Sequence, residues 1–362
     1  MARLTRVQQQ ARTRATVLAA AEQEFVEHGY APAKIDRIAA RAELTRGAVY
    51  SNFPSKRALY LAVLVEMVQR AGIDEPADPP TSLGDALGSF ARTWLERLPL
   101  TDDTAPGGRL RLRSLVGVID DDQGRTVLAQ TVRLEALLLA MGLESCGPHG
   151  SAPRRVRLAE VALTVLGGSA LLAEMAPGFG DPFDRARACE HLADLPLDDT
   201  WAPPYLPFIK PAEQCQDAWT PPTGLTDLIT GDQIDLGGDG LVTVLGAHRL
   251  EAAEEAVRAA RPGEQVTVVV TGDPAETGNL VRLRVADLVS CLRRVFPAET
   301  WRRLRLVIDD AAVTPPAVGL SPIDDDTEAA ARVRDGVIVA RARGRGAAHA
   351  VATVHGHEKQ ER

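Results

Sequence analysis

Cysteine is scarce and scattered in this chain: Cys146, Cys189, Cys215 and Cys291 are the four among 362 residues, and no two form a Cys-x-x-Cys pair. That spacing excludes a zinc knuckle, a disulfide framework and a dithiol redox centre, and leaves buried or inert thiols as the expectation. Long apolar runs are also missing. The longest uncharged apolar stretch, 161–173, falls short of the roughly 20 residues a membrane-spanning helix needs. Residues 1–14 are polar and basic with no apolar centre, so they do not read as a secretory signal. A soluble, cytoplasmic chain without membrane association is therefore expected. Catalytic signatures are lacking as well: there is no Gly-x-Ser-x-Gly, no Gly-x-x-x-x-Gly-Lys-[Ser/Thr], no Gly-x-Gly-x-x-Gly and no defensible catalytic pair of carboxylates. His349, His355 and His357 have no fourth ligand at useful spacing, and Asp309-Asp310 and Asp324-Asp325-Asp326 read as solvated acidic loops. No enzyme, no cofactor and no metal site are expected.

What is present is unevenly distributed charge. Residues 1–72 carry eleven Lys and Arg against six Asp and Glu, a net +5, while the whole chain is at −8, which leaves −13 on the remainder. A basic first segment on an acidic body suits a protein that meets nucleic acid at one end and repels it elsewhere. The basic start could serve as an arm along DNA or be a plain disordered tail. With 45% apolar and 25% charged residues the chain can bury substantial cores, and its length calls for two or three domains.

The basic segment contains a helical signature. Residues 11–28 form a helix pattern with Leu18, Ala21 and Phe25 on one stripe, closed by Gly29. A second short helix over 35–42 turns Ile38, Ala39 and Ala42 inward. About three residues later Thr45 is a good N-cap for a third helix, in which Val49 and Phe53 repeat at i and i+4 and anchor one face. Arg46, Tyr50, Ser51 and Asn52 can then point outward, and Gly47 and Ala48 keep that face small enough for close approach. The short connection is that of a helix-turn-helix, whose third helix can enter a DNA major groove.

Phe25, Gly29-Tyr30, Ile35, Ile38-Ala39, Ala42, Leu44-Thr45, Gly47, Val49-Tyr50, Phe53, Ser55-Lys56 and Leu59 together resemble the DNA-binding domain of the tetracycline-repressor (TetR) family of bacterial regulators. The resemblance implies an all-helical homodimer that binds a palindromic operator, with a helical ligand-binding domain whose small-molecule effector moves the DNA-reading helices apart. It further implies that Thr45, Arg46, Gly47 and Ser51 face bases or nearby backbone, and that Tyr50, Asn52 and Lys56 contact phosphates. Two positions depart from the family pattern. Ala33-Lys34 stands where Thr or Ser usually caps the second helix, so Lys34 is expected to reach a phosphate by charge instead. Glu43 stands where the turn usually has Gly.

Helix patterns continue over 59–71, 83–98, 110–119, 123–143 and 155–175, which together make a bundle. Residues 161–172 are apolar nearly all round and rich in small side chains, so 155–175 and 183–195 are read as the homodimer contact. Trp94, Arg111, Arg113, Glu135 and Met141 are candidate walls of the effector cavity implied by the family, as large or polar groups on bundle helices. The expected organisation is a DNA-binding domain at 1–60, a helical ligand-binding and dimerisation domain at 61–195, and a stiff proline-rich linker at 196–224 whose aromatics pack on a domain surface.

Residues 225–362 change period. Short Val-rich runs at 241–245, 266–271, 304–308 and 337–342 read as strands, with helices over 249–260 and 276–295, an α/β domain of three layers outside the TetR resemblance. The fold class is thus multidomain: an all-α TetR-like part followed by a C-terminal α/β domain. A regulator is the first reading. The alternative is a bifunctional protein whose α/β domain is an enzyme or a module for a protein partner.

Overall fold

The computed structural model describes residues 5–70, 78–98, 110, 113–147, 153–197, 199, 203 and 205–354. The head consists of α1 (Arg6–His28), α2 (Ile35–Arg41) and α3 (Arg46–Asn52). Thr5 starts α1 with a capping box: its hydroxyl accepts the Gln8 amide while Gln8 Oε1 accepts the Thr5 amide, satisfying two donors that a helix start leaves over. Val17, Ala21, Phe25, Ile38, Val49 and Phe53 are buried together between the three helices. Glu43, in the turn, has φ 55°, so a residue with a Cβ occupies the left-handed conformation that glycine adopts without penalty.

The body follows as α4 (Lys56–Arg70), α5 (Leu83–Leu95), α6 (Asp122–Ser145), α7 (Val156–Met175) and α8 (Pro182–His191). Where a helix over 110–119 is expected, residues 113–119 form turns, with Arg113 at φ 53°. The helix expected from 183 to 195 ends at His191 and continues as one 3-10 turn over Leu192–Asp194.

The C-terminal part holds one six-stranded sheet built from β1 (Glu213–Ala218), β2 (Gly240–Gly246), β3 (Val266–Thr271), β4 (Leu304–Ile308), β5 (Glu328–Arg334) and β6 (Val337–Arg343). The order is β1-β6-β5-β2-β3-β4; β2, β3 and β4 run parallel, and the other pairings are antiparallel. Helices α9 (Ala252–Ala259) and α10 (Thr277–Leu292) are the crossovers of the parallel half, and α11 (Ala347–Thr353) follows β6. Four strands lie where the Val-rich runs predict them. Two do not. β1 falls inside the segment expected to be linker, since its sequence Glu-Gln-Cys-Gln-Asp-Ala has no apolar alternation and sits exposed at the sheet edge. β5 is built on three alanines, good helix formers, yet their small size suits a strand buried on both faces. In the connector before β1, the Tyr205 hydroxyl donates to Glu255 Oε2 at 3.2 Å, under the Arg345 guanidinium 4.1 Å from the ring centroid, whereas Phe208 is exposed and Trp201 lies outside the described residues. Burial and the nearby Glu328 carboxylate push Glu255 up to about 7, against the opposing pull of the Tyr205 hydrogen bond.

The two halves are not separately cored. On one sheet face Leu241, Leu245, Val266, Val268, Leu304 and Leu306 join the same continuous cluster as the helical body. On the other, Val242, Val244, Val269, Val307 and Ala331 pack under Trp219, Leu225, Leu236 and Leu320 from irregular segments. Helix α10 packs against α4 and α6 and is buried on nearly every side. Gly142 of α6 lets the Phe296 ring approach so closely that a Cβ there would lie 2.9 Å from it, and Trp301 Nε1 donates to the Leu138 carbonyl at 3.0 Å.

Candidate nucleic-acid interface

Helix α3 has two opposite faces. Val49 and the Phe53 that follows the helix are buried in the head, which fixes the roll of α3 and turns Thr45, Arg46, Gly47, Tyr50 and Ser51 to the exposed side. Thr45 caps the helix, its hydroxyl accepting the Ala48 amide at 3.2 Å. The Arg46 guanidinium, 61% exposed, reaches Asp36 at 3.5 Å and lies 5.5 Å from the Tyr50 ring centroid. Both contacts are exposed and weak, so the group is free to exchange them for a ligand. A Cβ on Gly47 would meet nothing closer than the Thr45 hydroxyl at 3.9 Å, so this corner presents open backbone.

The remaining candidates lie at the margins of that face. Ser51 Oγ donates to the Ala48 carbonyl at 2.9 Å, and Asn52 Nδ2 donates to the same oxygen at 2.9 Å, so Asn52 is half-buried and folded against its own helix. Lys56 Nζ donates to the Ala31 carbonyl at 3.0 Å and stands 4.7 Å from the Tyr30 ring centroid. Partial burial lowers its pKa, against the pull of Glu24. Lys34 is exposed at the start of α2, where no side chain caps the helix. The missing cap is replaced from below: the buried Glu24 carboxylate accepts the Lys34 amide at 3.1 Å and Arg37 Nε at 2.5 Å, with Arg41 Nε 3.6 Å away. Burial raises the pKa of Glu24, but these donors outweigh it and hold the carboxyl below its ordinary value.

Of the five candidates for an effector cavity, Arg111 lies outside the described residues. The other four are engaged with the body and with α10. Glu135, 1% exposed, receives Arg284 Nη2 at 2.7 Å. Burial pushes its carboxyl up while Arg284 opposes that. Arg113 pairs with Asp287, which also binds Arg97, and the Arg97 guanidinium lies 3.7 Å from the Trp94 ring centroid. Met141 is partly buried against the core. A cavity of about 100 Å³ does occur, elsewhere, lined by Arg57, Leu61, Ile119, Gln123, Gly124, Val127, Asp273, Glu276, Thr277 and Leu280.

Sequence reasoning missed the residues that tie the start of α4 to the C-terminal domain. Ser55, whose hydroxyl accepts the Ala58 amide at 2.9 Å at the start of α4, donates to Glu276. Arg57 pairs with Glu276 and with Asp121, the N-cap of α6. Partners more than 200 residues apart leave no local pattern. In the segments read as the homodimer contact, Leu171, Leu172 and Met175 of α7 and Phe183 of α8 are exposed, as is Phe179 between them, and a Cβ on Gly167 or Gly168 would meet nothing within 4 Å. Helices α6 and α7 are long and apolar enough to cross a membrane by length and composition alone; 67% and 39% of their most apolar windows are buried within the protein.

Comparison with known proteins reaches the head. Residues 17–63 match the family of bacterial regulatory proteins described as tetR family, and the C-terminal half lies outside the match. An HTH-type transcriptional repressor of Streptomyces coelicolor is 35% identical over 86 residues, 24% of this chain and 40% of that protein. The A-factor receptor protein of Streptomyces griseus is 34% identical over 76 residues, 21% of this chain and 28% of that protein. The chain thus spans well under half the length of these curated relatives. A solved secondary repressor of a multidrug efflux pump in Pseudomonas aeruginosa is 23% identical, covering 53% of this chain and 98% of its own, with a TM-score of 0.34.

Proposed function

We propose that this chain, whose residues 17–63 carry the tetR-family segment, is a DNA-binding transcriptional regulator that acts as a repressor on a palindromic operator. The observation that carries the reading is the capped helix α3, held by Val49 and Phe53 and presenting Arg46, Gly47, Tyr50 and Ser51 outward on a basic head. Two copies joined through α7 and α8 would set two such helices in successive major grooves, about 34–36 Å apart. Lys34, Tyr50, Asn52 and Lys56 would grip phosphates, while Thr45, Arg46, Gly47 and Ser51 face bases or nearby backbone. Asn52 and Lys56 would first give up the contacts they hold in the free head.

A small-molecule effector belongs to the same reading, and one of the relatives is named as a receptor for A-factor. An effector that binds one spacing of the two heads better than the other lowers DNA affinity by that difference and no more. The decisive experiment is selection of bound duplexes from a random pool at low ionic strength. Enrichment of a palindrome supports both recognition and two-fold symmetry; recovery of no preferred duplex overturns the proposal.

A further inference from the structure

The connector that leads into β1 meets the C-terminal domain at a buried carboxylate. Glu255 of α9 is 1% exposed; its Oε2 accepts the Tyr205 hydroxyl at 3.2 Å, while its Oε1 is buried with no hydrogen-bond partner among the described residues. An ionised carboxyl offers about four acceptor sites, and one neutral hydroxyl does not replace the water that an anion loses on burial. The groups around it are committed elsewhere. Glu328 of β5, also buried, accepts the Gly346 and Ala347 amides on Oε1 at 2.7 and 3.3 Å, and Arg249 Nε and Nη2 on Oε2 at 2.9 and 2.5 Å. Arg249 is further paired with Glu251, and Arg345 of the turn before α11 lies over the Tyr205 ring. On α9 itself, Glu254 pairs with Arg258. Helix α11, which packs on α9, carries His349.

The same patch holds the connector by shape. Tyr205 opens the 3-10 turn Leu206–Phe208, and Ile209 closes it. Gly346 has φ 85°, and a Cβ there would overlap the Ile209 side chain, so the connector rests on the turn before α11 as closely as a glycine permits. Two contacts therefore dock residues 205–209: Ile209 on Gly346, which is indifferent to pH, and Tyr205 on Glu255, which is not.

We propose that Tyr205 and Glu255 form a pH-operated clasp, closed on α9 while Glu255 is protonated and opened when Glu255 ionises and the connector parts to let water reach Oε1. The neutral acid needs no shell of donors, whereas the anion gains one only by leaving its buried surroundings. Burial and Glu328 raise the Glu255 carboxyl to about 7, over the opposing Tyr205 hydrogen bond and the charges of Arg249 and Arg345. Burial and the Glu255 charge push the Tyr205 hydroxyl up to about 12, so it keeps its proton throughout. The closed form binds the Glu255 proton more tightly than a solvated carboxyl near 4.3 does. Closure is therefore strongest at low pH and is lost as pH rises through about 7. The clasp is independent of what the head binds.

The test is hydrogen exchange by mass spectrometry on the full-length protein, read in peptides covering 205–211 as protection relative to the intrinsic rate at each pH. Between about pH 6 and about pH 8.5 the parent should lose at least fivefold in protection there, while β2 keeps its own. Glu255→Gln, which is neutral and close in shape, should hold its protection at both pH values within about twofold; the comparison also separates Glu255 from His349. Tyr205→Phe, at a half-buried connector position, keeps the ring without the hydroxyl, and should lose at least threefold already at about pH 6. Constant protection in the parent, an equal loss in Glu255→Gln, or a loss shared by β2 overturns the clasp. If Glu255→Gln does not fold, Tyr205→Phe decides, and protection equal to the parent's at both pH values overturns it.

Discussion

At the scale of single residues, the head departs from the tetR-family pattern it resembles at two points, and both have physical consequences. Glu43 holds a left-handed φ of 55°, which costs a residue with a Cβ roughly 1–2 kcal/mol. Glycine removes that cost but loses more freedom on folding, so Glu43→Gly should gain about 1 kcal/mol and raise the melting midpoint by about 1 °C. A lower midpoint would show that the turn is not strained. The uncapped start of α2 is met by Glu24, whose folded pKa is depressed. Such a carboxylate stabilises the fold above its unfolded value near 4.3 and ceases to do so as pH falls through the folded value. Glu24→Gln should therefore cost about 1–3 kcal/mol at pH 7, and urea titrations should show the difference shrinking below about pH 4; a constant difference would contradict the linkage. For recognition, Lys56→Ala should weaken binding to all duplexes alike and flatten the slope of log affinity against log salt by about one. An unchanged slope would remove Lys56 from the phosphate contacts. Thr45, Val49 and Phe53 were legible in sequence because capping and i, i+4 anchoring are local. Glu24 was not, because its partners come from another helix.

At the scale of elements, strongly periodic segments were readable and tertiary inserts were not. α3, α6, α7 and the parallel strands lie where their patterns predict, since each buries a regular face. β5 was illegible because three alanines carry no strand signal, and α10 hid its role because a helix buried on all sides looks the same whatever covers it. What covers it is the helical body: Arg284 with Glu135, and Asp287 with Arg97 and Arg113, occupy groups that sequence alone offered as effector contacts. Buried pairs of this kind fix register, since removing one partner strands a charge at a cost of about 3–5 kcal/mol. α7 presents the opposite case, an apolar stripe left uncovered. Leu171→Glu with Met175→Glu places two charges on that stripe without touching the core. Sedimentation at micromolar concentration should show the parent as a dimer and the double variant as a monomer. A parent that sediments as a monomer, or a variant that stays dimeric, would dissociate α7 from the interface.

At the scale of the whole molecule, one apolar cluster runs from Val17 to Val351 through head, body and one face of the sheet. Sequence composition divides the chain near the prolines at 196–224, but packing does not: α10, Phe296 and Trp301 supply part of the interior of the helical body. A domain whose core is completed by another cannot lose that partner and keep its own stability. Buried side chains of the size of Phe296 and Trp301 each contribute on the order of 3–5 kcal/mol against truncation to Ala. Two expectations follow from one cause. In urea, helix content and the fluorescence of Trp94, Trp219 and Trp301, which lie in different parts of the structure, should change at the same midpoint. Ending the chain after residue 224 should yield a helical but loosely packed species that exposes Leu61, Leu134 and Leu138, binds a hydrophobic dye and fails to discriminate between duplexes. Two separated urea transitions, or a truncated protein that melts cooperatively and selects the same duplexes as the full chain, would mean that the sheet domain is an appendage and that the head is controlled without it.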